Sequence, residues 1–122
     1  EAATQDYGDV ELTFAAAYGG REEITDAVKA LLRTELIAGK SADDIVESVT
    51  PEAIGRYIYA PHLPEPDLII RTSGEIRLSG FMLWQSVYSE FYFTDIFWPA
   101  FRRIDFLRAV RAFQQRDRRF GK

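Results

Sequence analysis

An α/β fold, with a parallel sheet flanked by helices, follows from three features of this 122-residue sequence. Short apolar stretches alternate with segments of helical periodicity, the order in which strand–helix–strand units are built. The run Asp67–Thr72 (DLIIRT) is apolar without alternating, so both of its faces are expected to be buried, as in a parallel sheet covered by helices. Three buried strands would make a thin sheet in need of neighbours at its edges, and the chain opens at Glu1 with Met82 as its only methionine. Residues 1–122 are therefore expected to form the C-terminal part of a larger single-domain fold.

Val10–Ala17 (VELTFAAA) starts as a β-leaning apolar stretch and breaks at Gly19-Gly20. Arg21–Ala38 reads as a helix, with Ile24, Ala27, Val28, Leu31 and Leu32 on one face and Gly39 as its stop. Ser41, with Asp44 three residues on, opens a short helix. Thr50-Pro51-Glu52 opens another, as cap, first-position proline and first-turn acid, and that helix is expected to end near Tyr57. Three prolines between Pro61 and Pro66 exclude regular helix there. The strand Asp67–Thr72 follows, then a loop punctuated by Gly74 and Gly80. Phe81–Tyr88 suits a short buried helix and Glu90–Thr94 (EFYFT) a third strand. Asp105 is expected to cap a last helix that turns Phe106, Val110 and Phe113 inward and ends near Gly121.

Composition bounds the function. At 47% hydrophobic and 28% charged residues, the chain has ordinary globular usage and is not a disordered tail. The absence of cysteine excludes disulfides, a thiolate nucleophile and any Cys-ligated zinc or iron–sulfur site. No apolar run approaches the roughly 18 residues of a membrane-spanning helix, and a cytoplasmic setting is favoured. Charge is lopsided: residues 1–100 carry 7 Lys+Arg against 17 Asp+Glu, whereas residues 101–122 carry 8 against 2. The basic end implies an anion contact or a docking surface between chains, with a solvated helix face as the plainer reading. Nucleic-acid binding is disfavoured by the acidic body and by the lack of a matching motif.

Chemistry concentrates between Ile70 and Phe81. Arg71 ends a predicted parallel strand, where open α/β sheets bind ligands. Arg77 lies across a loop in which Ser73 and Gly74 would let backbone amides approach a ligand, and Ser79 stands where the next helix should begin. Two guanidiniums, a hydroxyl and a helix start on one loop would cradle a diphosphate; the alternative pairs Arg71 and Arg77 with acids such as Glu75 or Asp67. Glu90 sits among Val87, Tyr88, Phe91 and Tyr92, so its carboxylate needs a counter-charge. Either magnesium shared with substrate phosphates or an ion pair with Arg77 or Arg71 would supply one. Nine of the 17 aromatic residues fall between Phe81 and Phe101; core packing would explain most, an oligomer interface several. His62, the sole histidine, lies between prolines and reads as a surface residue.

The string DLIIRTSGEIRLSGFMLWQSVYSEFYFTDIFWPAF strongly resembles the long signature of the cis-prenyltransferases, which include undecaprenyl diphosphate synthases and short-chain Z-isoprenyl diphosphate synthases. AYGGREEI and the terminal RRFG match two further family blocks. The resemblance implies a homodimeric enzyme that condenses isopentenyl diphosphate with an allylic diphosphate, using magnesium and forming a Z double bond, with peripheral membrane association through its product. By motif position, Arg71, Arg77 and Ser79 would hold isopentenyl diphosphate and Glu90 would associate with magnesium. Arg119 and Gly121 match an R-x-G motif that reaches the active site across the dimer interface. Tyr18–Arg21 would be chiefly structural. Ile76 and Gly80 stand where family members often carry His and Asn. Nothing here resembles the family's aspartate motif (DGNRRWA), so the chain is expected to hold no catalytic residue and to be inactive alone. The alternative is a non-catalytic partner subunit of a heteromeric prenyltransferase.

Overall fold

The computed structural model describes residue 8 and residues 10–116. Helix α1 spans Gly20–Ile37, α2 Ala42–Ser48 and α3 Pro51–Gly55; strand β1 covers Leu68–Arg71, β2 Glu90–Phe93, and helix α4 Arg103–Gln114. A single 3-10 turn, Trp98–Ala100, precedes α4. The two strands pair in parallel, with Leu68 opposite Glu90 and Arg71 opposite Phe93. α1 packs on α2 and α3, and α4 lies against β2. The resulting α/β arrangement buries Ala27, Leu31, Ile45, Ile58, Ile69 and Ala109.

Local signals produce the helices as expected. Ser41 Oγ accepts from Asp44 N–H at 3.2 Å and donates to Asp44 Oδ2 at 2.6 Å. Thr50 Oγ1 accepts from Ala53 N–H at 3.1 Å, with Pro51 at the first helical position. Gly39 adopts φ +72°, the left-handed conformation that ends α1. The inward face of α1 includes Ala27 and Leu31, but also Glu23, which is fully buried.

Four expectations are corrected. Val10–Ala17 forms no strand: Val10, Leu12 and Phe14 are 81%, 74% and 85% exposed, and among the described residues β1 and β2 pair only with each other. A strand without a neighbour leaves its backbone N–H and C=O groups unpaired, so this segment has nothing to hold it extended. Phe81–Tyr88 forms successive turns, not a buried helix. Ser79, Gly80 and Met82 take positive φ (51°, 82° and 49°), which interrupts helical propagation, and Val87 and Tyr88 are exposed. Asp105 is not the cap of α4 but its third residue: Arg102 is the N-cap, and the Asp105 carboxylate reaches back to Arg102 N–H at 3.1 Å. Ala109 faces inward while Phe106 is half exposed. The aromatic cluster is likewise not mainly core, since Phe97 and Trp98 are exposed, Trp98 stacking on Phe101 at 5.7 Å.

Candidate functional site

Arg71 ends β1, where its carbonyl accepts from Thr94 N–H at 2.9 Å. Its Nε is buried and has no hydrogen-bond partner among the described residues, and Arg71 forms no ion pair there. A buried guanidinium nitrogen without an acceptor is unfavourable, so this donor is available to an anion. Arg77, by contrast, pairs with Glu75 at 2.5 Å, with 67% of its side chain exposed. One of the two alternatives open for the arginines therefore holds for Arg77 and not for Arg71.

The loop between them is stitched to the end of β2. Ser73 N–H donates to Ile96 O at 3.0 Å and Gly74 N–H to Thr94 O at 2.9 Å. Both residues have positive φ. Their amides are thus committed to backbone carbonyls and do not face a ligand, contrary to the reading from sequence. Gly74 is further enclosed by Asp95, whose Oδ1 would lie 3.3 Å from an added Cβ.

Ser79 meets the first turn of α1. It lines a cavity of about 370 Å³ with Gly19–Glu22, Gly80 and Leu83; Arg71 and Arg77 do not line that cavity. Gly20 N–H donates to Gly80 O at 3.1 Å, and a Cβ on Gly20 would come within 2.3 Å of that oxygen. Glycine at position 20 is what permits the loop to close on the helix.

Glu90 lies at the start of β2, opposite Leu68, three residues of strand rise (roughly 10 Å) from the Arg71 end of the sheet. Neither Arg71 nor Arg77 is its partner. Arg116 Nη1 donates to Glu90 Oε2 at 2.6 Å and to Phe91 O at 3.0 Å. Among the described residues, no three His, Cys, Asp or Glu side chains gather to hold a metal ion. Glu90 brings a single carboxylate that is already paired with Arg116, so it would take a magnesium ion only with Arg116 displaced and with phosphate oxygens and water completing the shell. Arg119 and Gly121 lie outside the described residues.

The sequence reading passed over Glu23. Its carboxylate accepts from Tyr59 N–H at 3.0 Å, from Gln85 Nε2 at 2.8 Å and from the Tyr18 hydroxyl. Burial, and then the bond to Glu23, holds the Tyr18 phenol well above its ordinary pKa. The signal that could have found Glu23 is its place on the α1 stripe, four residues before Ala27 and eight before Leu31.

Comparison with known proteins places this chain in a family. The isoprenyl transferase of Deinococcus radiodurans is 62% identical over 122 residues, covering 100% of this chain and 44% of that protein. The (2Z,6E)-farnesyl diphosphate synthase of Mycolicibacterium smegmatis is 54% identical over 100% of this chain and 46% of its own length. The chain thus spans about half the length of the curated relatives it matches. Among solved structures, lavandulyl diphosphate synthase from Lavandula x intermedia, in complex with dimethylallyl diphosphate, matches with a TM-score of 0.75 at 35% identity, over 88% of this chain and 45% of that one. With the prenyltransferase family model matching residues 1–121, this chain belongs to the undecaprenyl diphosphate synthase family.

Proposed function

We propose that residues 1–122 are the C-terminal portion of a cis-prenyltransferase and supply its grip on isopentenyl diphosphate. The observation that carries this reading is Arg71: a guanidinium at the C-terminal end of a parallel strand whose buried Nε has no acceptor among the described residues. A diphosphate oxygen would provide that acceptor and a charge-assisted hydrogen bond. Arg77, after exchanging Glu75 for phosphate, and the Ser79 hydroxyl would complete the hold. Relatives that carry diphosphate synthase names, and one whose structure contains dimethylallyl diphosphate, support the substrate class.

In the intact enzyme, the allylic C–O bond breaks with departure of diphosphate. The double bond of isopentenyl diphosphate attacks the allylic cation, and loss of a proton yields the new Z double bond. The work of Arg71, Arg77 and Ser79 is to fix the diphosphate so that this double bond faces the cation. Glu90, after exchanging Arg116 for the metal, would hold magnesium, which when bound would neutralise diphosphate charge. In a homodimer, Arg119 and Gly121 would contribute to the partner's site. The described residues contain no helix long and apolar enough to cross a membrane; a cytoplasmic enzyme that touches membranes through its product is the corresponding setting.

The test is an assay with magnesium, isopentenyl diphosphate and geranyl or farnesyl diphosphate. The chain alone should give no turnover, and adding the N-terminal half of a family member should restore it. Turnover by the chain alone would contradict the assignment of catalysis to the other half. Persistent inactivity after reconstitution with a correctly folded complex would favour a non-catalytic subunit.

A further inference from the structure

Ser79 sits in a backbone that does not hold itself. Within four positions, Ser79, Gly80 and Met82 all adopt positive φ, and two of the three carry side chains for which that conformation is unfavourable. Such geometry persists only where surrounding contacts over-determine it. Among the contacts that hold it, two come from the first turn of α1: Gly20 N–H donates to Gly80 O, and Gln85 Nε2 donates to Glu23 Oε1 at 2.8 Å, a link between residues 62 apart in sequence.

Gln85 is chosen for that link. Its Oε1 is buried with no partner among the described residues, and among them the side-chain amide's hydrogen bond is the one from Nε2 to Glu23. Glu23 is fully buried, and no cation among the described residues is paired with it; its donors there are neutral and come from three separate segments, at Tyr18, Tyr59 and Gln85. A buried carboxylate with only neutral donors is a poor source of stability compared with an apolar side chain. Its geometric consequence is definite: it fixes the turns that follow Ser79 against α1.

We infer that Glu23 and Gln85 form a positioning pair for isopentenyl diphosphate binding, holding the Ser79–Gln85 segment so that the Ser79 hydroxyl meets the diphosphate. This rests on the assignment of Ser79 to that substrate. In the intact enzyme, Gln85→Ala should raise the isopentenyl diphosphate KM about tenfold, the scale of one hydrogen bond to a charged group. kcat and the allylic KM should stay near wild type. Glu23→Gln, which keeps a carbonyl oxygen for Tyr59 N–H and Gln85, should hold KM within about threefold on the same scale. Ser79→Ala is measured alongside. If Ser79→Ala raises the isopentenyl diphosphate KM and Gln85→Ala does not, the positioning role is overturned while the substrate assignment stands. A fall in kcat with both KM values unchanged, tracking the folded fraction seen by circular dichroism, would also overturn it, as a merely structural effect. An unchanged KM in Ser79→Ala would remove the substrate assignment, and this inference with it.

Discussion

Gly20→Ala turns a close backbone approach into a measurement. On its own, alanine in a helix is favoured over glycine by about 0.5–1 kcal/mol. Position 20 should invert that sign. The new methyl would lie 2.3 Å from Gly80 O and 3.0 Å from Leu83 Cγ, and the nearer atom is backbone that cannot rotate away. Relief requires the Gly80 segment to withdraw, which breaks the 3.1 Å bond from Gly20 N–H and leaves a buried donor unpaired. Overpacking and the lost bond each cost on the order of 1–3 kcal/mol, for a net loss of about 1–5 kcal/mol after the helix gain. With an unfolding entropy near 2.1 cal/mol/K per residue, a cooperative unit of this size should lose roughly 4–20 °C in Tm. Thermal unfolding by circular dichroism reads the shift, and Gly55→Ala is the control, since its added Cβ would meet only Trp84 Nε1 at 3.8 Å. A Gly20→Ala protein as stable as wild type, or more so, would refute the reasoning about how the Ser79 segment is fixed.

Three further outcomes are expected. Asp105 is held below its ordinary pKa, first by the Arg102 backbone N–H and then by the Arg102 side chain and Arg108; a depressed folded pKa gives stability that is present above the unfolded value and lost as pH falls through the folded one. Denaturant midpoints should therefore fall below about pH 4 in wild type and much less steeply in Asp105→Asn; equal slopes would dismiss the Arg102–Asp105 cap as a titrating contact. Tyr18→Phe leaves one buried oxygen of Glu23 without its hydroxyl donor and should cost about 1–3 kcal/mol by urea unfolding; because the Tyr18 pKa is raised, its contribution is complete below about pH 10 and lost as pH rises further, so the mutant's penalty should shrink in alkali. Arg116→Ala, at a half-exposed ion pair, should cost no more than about 1 kcal/mol of stability, and a larger loss would mean that the Arg116 bond to Phe91 O matters more than the pair itself.

What was legible in the sequence was what local chemistry decides. Ser41 with Asp44 and Thr50 with Pro51 announce helix starts within four residues of chain, and they are found where they were read. The apolar runs of β1 and β2 name themselves as strands and as parallel partners. Failure came where the outcome depends on distant partners. Val10–Ala17 has a strand's pattern but no neighbouring strand among the described residues, and Phe81–Tyr88 has a helix's composition but follows a backbone bent by contacts with α1. The site divides in the same way. Arg71 was recognisable from its place at a strand end, whereas the bond from Gln85 to Glu23 spans 62 residues and leaves no local pattern. Glu90 was correctly read as needing a counter-charge, yet its partner, Arg116, sits 26 residues away on the chain leaving α4.

Isothermal titration of isopentenyl diphosphate into the intact enzyme and into its Arg71→Ala variant addresses the functional reading at its base. Loss of a buried, charge-assisted contact should weaken binding by about tenfold or more, with the allylic diphosphate bound as in wild type. Equal affinity of the two proteins for isopentenyl diphosphate would mean that the Arg71 guanidinium at the end of β1 does not serve this substrate.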